Sequence, residues 1–170
     1  MKNPTESELW QAMPHLAFEF HHFCLYGHQI QFQKDHPSAF LEEGHLQAIH
    51  YAFLLHFRAI LDFFFAHEPL PDDLRVQDFE AIPAFLPSDS EPPWNTQPVW
   101  CKDLRVNLNK RLAHITARRW REEAPEMPYY HQHLAFVCEL IDSFTLCLPP
   151  EYQSRLHRVT AARKRWNLSA

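Results

Sequence analysis

Two glycines in 170 residues, Gly27 and Gly44, leave this chain almost nothing suited to the positive-φ positions of tight hairpins. Valine occurs only five times, so the branched residues that favour strands are scarce as well. A mostly β fold is excluded. The same scarcity removes the glycine cluster through which P-loops and dinucleotide folds bring backbone up to phosphate, and no cofactor is expected by those routes. The fold class is therefore all-α. With 46% apolar and 22% charged residues, the length suits a single domain, 1–170, built round one core.

Apolar periodicity divides the chain into helices. Thr5 or Ser7 can cap a first helix that carries Leu16, Phe20, Phe23 and Ile30 as far as Gln33, with Pro14 kinking or restarting it. After the break at residues 35–38, Phe40 to Phe64 read as a long helix whose later turns are apolar nearly all round, as in the central helix of a bundle. Periodicity then stops. Residues 67–98 hold seven of the fourteen prolines and read as an ordered, irregular crossover with one short helix within Asp72 to Phe79. A third helix starts at Val99, carries Leu104, Leu108, Leu112 and Ile115, and runs through Trp120; a fourth spans Tyr129 to Leu148, where Pro149 and Pro150 end it. The basic C-terminal segment, 151–170, supplies a fifth helix over Glu151 to about Arg165, packed or partly frayed. The expectation is an antiparallel helical bundle of four to five helices with a long proline-rich crossover and an aromatic core drawn from fourteen phenylalanines.

The N-terminal sequence lacks a basic region followed by an apolar run, so the expected location is cytoplasmic. Cys24, Cys101, Cys138 and Cys147 are widely spaced in or beside apolar stretches, which reads as reduced, buried thiols. The most apolar stretch, Tyr51 to Phe65, contains His56, Arg58 and Asp62 and reads as too short and too polar for a bilayer, so no membrane partner is expected. The net charge of −5 conceals an asymmetry. Residues 1–101 carry 4 Lys/Arg against 14 Asp/Glu, whereas residues 102–170 carry 12 against 7. The cationic part suits an anionic partner such as RNA, and the acidic N-terminal half suits a basic protein partner or the basic half of a neighbouring copy; mutually neutralising solvated faces are the plainer alternative.

Thirteen histidines raise the question of metal. Glu19 with His22 and Glu42 with His45 have the Glu-x-x-His spacing of carboxylate-bridged di-iron bundles, but the glutamates those sites require from two further helices are not in place, and no metal is expected. His15, His21, His22 and His28 read instead as boundary residues, and His131 and His133 point apart on a helix. Arg58 and Asp62, one turn apart in the most apolar helix, form either a pair that fixes helix register or a phosphate-holding arginine with its support. On the third helix, Asn107, Arg111, His114 and Arg118 gather along one flank of the apolar stripe. An imidazole there can act as acid or base on a ribose hydroxyl or leaving oxygen, and a guanidinium can stabilise the phosphorane; a histidine at the core edge beside solvated arginines is the structural alternative.

The phenylalanine-rich run 53–65, followed across the proline-rich crossover by Asn109-Lys-Arg-Leu-Ala-His-Ile-Thr116, resembles bacterial helical proteins of the HEPN type, the higher eukaryote and prokaryote nucleotide-binding superfamily. The resemblance covers roughly residues 40–148. It implies a helical bundle, a homodimer and, in active members, a metal-independent endoribonuclease of toxin or antiphage systems. The family motif is an arginine, four to six residues, then a histidine. His114 takes the histidine position, while Asn107, Leu108 and Asn109 stand where the arginine belongs, so the chain departs from the motif at that point. On this resemblance His114 is the acid/base, with Asn109 orienting substrate and Arg111 binding phosphate. Arg58, Asp62, Asn107, Lys110 and Arg118 complete the RNA-binding set. The function expected is RNA binding or cleavage in a bacterial stress or defence system, with a non-catalytic protein-interaction module or a metal-binding bundle as alternatives.

Overall fold

The computed structural model describes residues 4–37, 43–65, 73–85, 91–104, 108 and 130–166. The protein is all-α, with no strand among the described residues. Helix α1 spans Glu6–Asp35, α2 Glu43–Phe65 and α3 Val76–Phe79. Residues 99–104 are helical and form α4, residue 108 is likewise helical, and α5 (Tyr130–Cys147), α6 (Pro150–Arg155) and α7 (His157–Trp166) follow.

Local chemistry fixes the start of α1. The Thr5 hydroxyl accepts from the Glu8 amide at 3.3 Å while the Glu8 carboxylate accepts from the Thr5 amide at 2.6 Å, a reciprocal capping box. Pro14 neither stops nor restarts the helix, which continues through it with Met13 and Leu16 buried on either side. The structural cost of an interior proline, about 3 kcal/mol, is offset by packing of that buried face.

Helices α1 and α2 run antiparallel: Phe20 meets Phe63 and Phe64, and further along α1 Phe23 meets Phe53 and Phe57. On its other sides α1 packs against α7, α6 and α5. Phe144 of α5 is fully buried where the segments converge, with its ring against Phe20, Phe63, Phe79 and Trp94. Val76, Phe79, Ile82, Phe85 and Trp94 are buried, so the described parts of the crossover belong to the core. One contiguous apolar cluster joins all of these elements.

Three sequence expectations are corrected. Helix α2 is not enclosed on every side, because Tyr51 and Leu55 lie on a face open to solvent. Helix α2 also extends well before residue 51, and over His45–Phe65, 21 residues with a mean hydropathy of 1.3, it reaches the length and composition of a membrane span. Its Phe53, Phe57, Ile60, Leu61 and Phe64 are nevertheless buried against the rest of the protein, as in a core helix. The single C-terminal helix expected from the sequence is two, separated at Leu156, whose N–H donates to the Gln153 carbonyl at 2.9 Å. Both halves are packed, with Tyr152, Leu156, Val159 and Ala162 buried.

Candidate nucleic-acid interface

The burial of Leu156, Val159 and Ala162 sets the orientation of α7 and leaves its opposite face to solvent. That outer face carries His157, Arg158, Lys164 and Arg165, all exposed, with exposed Arg155 just ahead on α6. Across residues 150–166 the only acid is Glu151, against five cations. Arg155 lies over the ring of Trp10 at 4.4 Å. Arg163 alone turns inward. Its Nη1 donates to the Cys138 carbonyl at 2.7 Å and pairs with Asp142, which anchors α7 to α5 and leaves its neighbours facing out.

From this face a row of imidazoles crosses α1 toward α2. His21 is hydrogen-bonded to the backbone of Arg158. The His21 and His22 rings are 5.3 Å apart, and the His22 and His56 rings are again 5.3 Å apart and stacked. Burial first, and then His22, lowers the pKa of His21 below the ordinary histidine value. The row ends in a dyad: the Nδ1 of His56 and the Glu19 carboxylate are 2.7 Å apart across the α1–α2 contact. Tyr26 stacks on His56, whose side chain is only 14% exposed. A carboxylate that fixes one imidazole nitrogen leaves the other to take or give a proton, which is the arrangement of an acid/base pair.

The structure therefore redirects one sequence expectation. Glu19 does not act with His22 as a Glu-x-x-His ligand pair, because it turns to His56 while the Nδ1 of His22 lies 2.9 Å from the Phe18 carbonyl. Among the described residues no group of three or more His, Cys, Asp or Glu side chains is arranged to hold a metal ion. Arg58 and Asp62 do pair, 3.5 Å apart, but they are 39% and 37% exposed, so this is a surface pair and not a buried charge in an apolar helix. Asn107, Asn109, Lys110, Arg111, His114 and Arg118 lie outside the described residues. Of that helix, Leu104 and Leu108 are described and are buried as the stripe requires.

Sequence reasoning missed the His56–Glu19 dyad, although its signal was present: a histidine amid the most apolar helix must find a polar partner once packed. It also missed that Arg155, Arg158, Lys164 and Arg165 share one solvent face while Arg163 turns inward. At the α6 end of this region, Glu6, Ser7, Trp10, Glu151 and Tyr152 line an open cleft of about 420 Å³. Comparison with known protein families, with characterised proteins and with solved structures gives no match.

Proposed function

We propose that this protein binds RNA through the outer face of α7 and that it is a HEPN-like, endoribonuclease-type protein. The observation that carries the reading is the run of exposed cations, Arg155 at the end of α6 and Arg158, Lys164 and Arg165 on α7, a helix whose inner face is locked in place by Arg163. Such a face meets phosphates without reading bases, so the binding is sequence-tolerant and salt-sensitive. The imidazole row adjoining it supplies proton-transfer groups beside the path of the backbone.

Cleavage on this reading is metal-independent. His114 is the acid/base, Arg111 binds phosphate and Asn109 orients substrate, with Arg58, Asp62, Asn107, Lys110 and Arg118 as the remaining contacts. The His56–Glu19 dyad is a second acid/base candidate. Self-association as a homodimer fits the exposed apolar residues Phe18, Phe32, Tyr51 and Leu55 of α1 and α2.

A labelled single-stranded RNA, incubated with purified protein with and without a chelator, tests binding and cleavage together. The expected result is retained binding and lost cleavage in either His114→Ala or His56→Ala, which identifies the group that moves the proton, with no effect of the chelator. Equal loss of binding and cleavage in both variants contradicts an acid/base role for either.

One observation favours a second reading, a protein-interaction module. The cleft at Glu6, Trp10, Glu151 and Tyr152 combines two carboxylates with two aromatic rings, and a cation already sits on Trp10. A basic protein segment suits that surface. Binding to it is abolished by Trp10→Ala and is indifferent to neutralisation of α7, the reverse of the RNA result.

A further inference from the structure

Four aromatic rings gather at the surface where α1 meets α2. Phe18 lies on His22 with ring centroids 4.0 Å apart and meets His56 edge-on at 5.6 Å. His22, Tyr26 and His56 close a triangle whose sides are 5.3 Å between His22 and His56, 5.7 Å between Tyr26 and His56, and 5.8 Å between His22 and Tyr26. Residues 18, 22 and 26 stand about one turn apart on α1 and so share one side of it. Phe18 is 52% exposed, whereas Phe20 and Phe23 of the same helix are fully buried. This ring serves no core.

Two hydrogen bonds fix the imidazoles of the group. The Nδ1 of His22 donates to the Phe18 carbonyl at 2.9 Å, and the Nδ1 of His56 donates to the Glu19 carboxylate at 2.7 Å. The rings are therefore in position before a ligand arrives, which reduces the ordering cost of stacking on them. Glu19 is the one acid within the group, and its carboxylate is paired with His56. The patch also continues the cationic face: α1 packs against α7 as well as α2, and the ring of His21, which bonds to the Arg158 backbone, lies 5.3 Å from that of His22.

We propose that Phe18, His22, Tyr26 and His56 form a stacking platform for unpaired nucleobases, so that an RNA held by its phosphates on α7 is single-stranded and lays its bases across α1. The inference rests on the RNA reading given above and adds the form of RNA selected. Every base has a π face, so stacking tolerates any sequence, whereas a duplex keeps those faces covered. Phe32, Tyr51 and Leu55 remain for contact between copies.

The test titrates three labelled ligands of equal length, a single-stranded RNA, an abasic strand and an RNA duplex, against the wild-type protein, Phe18→Ala, Phe18→Leu, Phe18→Tyr and the double variant Phe18→Ala with His22→Ala. Because Phe18 is half exposed, its variants should fold, which circular dichroism checks. The wild-type protein should bind the single strand about tenfold more tightly than the abasic strand, which carries the same phosphates and no bases. Phe18→Tyr keeps that preference, Phe18→Ala and Phe18→Leu reduce it, the double variant abolishes it, and duplex affinity and the salt dependence stay as in the wild type. Equal wild-type affinity for single and abasic strands, full preference in Phe18→Leu, or preference surviving in the double variant overturns the platform and leaves phosphate binding by α7 standing. Absence of wild-type binding to all three ligands overturns the RNA reading and the platform with it. Sedimentation at the assay concentration completes the test: equal masses for wild type and Phe18→Ala are expected, and a lower mass for the variant assigns Phe18 to contact between copies and overturns the platform.

Discussion

Replacing Phe144 with alanine removes the ring on which α1, α2, α3 and the crossover converge. Phe144 is 0% exposed, and its ring centroid lies 5.2 Å from that of Phe79, 5.3 Å from Phe63 and 6.2 Å from Phe20, each close to edge-on. A buried phenylalanine removes on the order of 200 Å² from water, which at about 25 cal/mol per Å² gives about 5 kcal/mol before any relaxation. Measured truncations of this kind cost about 3–5 kcal/mol, and the upper part of that range applies here because rigid rings on several sides cannot collapse into the cavity. Against a total stability of about 5–15 kcal/mol, the variant should be marginal or lower its Tm by about 10 °C. Leu146, two residues on and 77% exposed, is the control, and its alanine variant should stay within about 0.5 kcal/mol of wild type. Urea denaturation followed by circular dichroism measures both. A Phe144→Ala loss below about 1 kcal/mol with an unchanged m-value refutes the convergence of elements on this ring.

Gly27→Ala gains about 1 kcal/mol of helix propensity but forces a methyl to within 2.9 Å of Leu134; with overpacking costing about 1–3 kcal/mol, a net loss of about 1 kcal/mol is expected, and a gain in a denaturant melt contradicts the close α1–α5 crossing. Burial lowers the pKa values of His21, His28, His50 and His133, so the unfolded chain binds protons that the folded chain refuses. Their contribution to stability is whole above the ordinary value of 6.5 and is lost as pH falls through the window below it. Tm should therefore drop between pH 7.5 and pH 5.5, and a flat or rising Tm contradicts the burial of these rings. Thr5→Ala removes one half of the capping box at the start of α1 and should cost about 1 kcal/mol by the same denaturant measurement, with no change in RNA affinity.

Features written in short spans were legible from residue types alone. The Thr5 cap, the stop at Pro149 and the pairing of Arg58 with Asp62 each depend on neighbours three or four positions away. The stripes that bury Phe53, Phe57, Ile60 and Phe64 follow from helical period. Glu19 and His56 are 37 positions apart, and only the register of α1 against α2 brings them to 2.7 Å. The local pattern Glu-x-x-His therefore pointed to the wrong partner. The inward turn of Arg163 is likewise invisible in sequence, since it lies in a run of three cations and differs from Lys164 and Arg165 only in facing Asp142. Nothing in the residue pattern marks the helix boundary at Leu156, where neither glycine nor proline stands.

The dependence of RNA affinity on salt bears most directly on the account. Binding of a labelled single-stranded RNA to the wild-type protein and to the triple variant Arg158→Gln, Lys164→Gln, Arg165→Gln is measured at salt concentrations from about 50 to 200 mM. The log–log slope should be less steep by about 2 in the variant, as counterions displaced at three phosphates are no longer released. Identical slopes and affinities for the two proteins, with the variant folded by circular dichroism, contradict the assignment of α7 as the RNA-binding face.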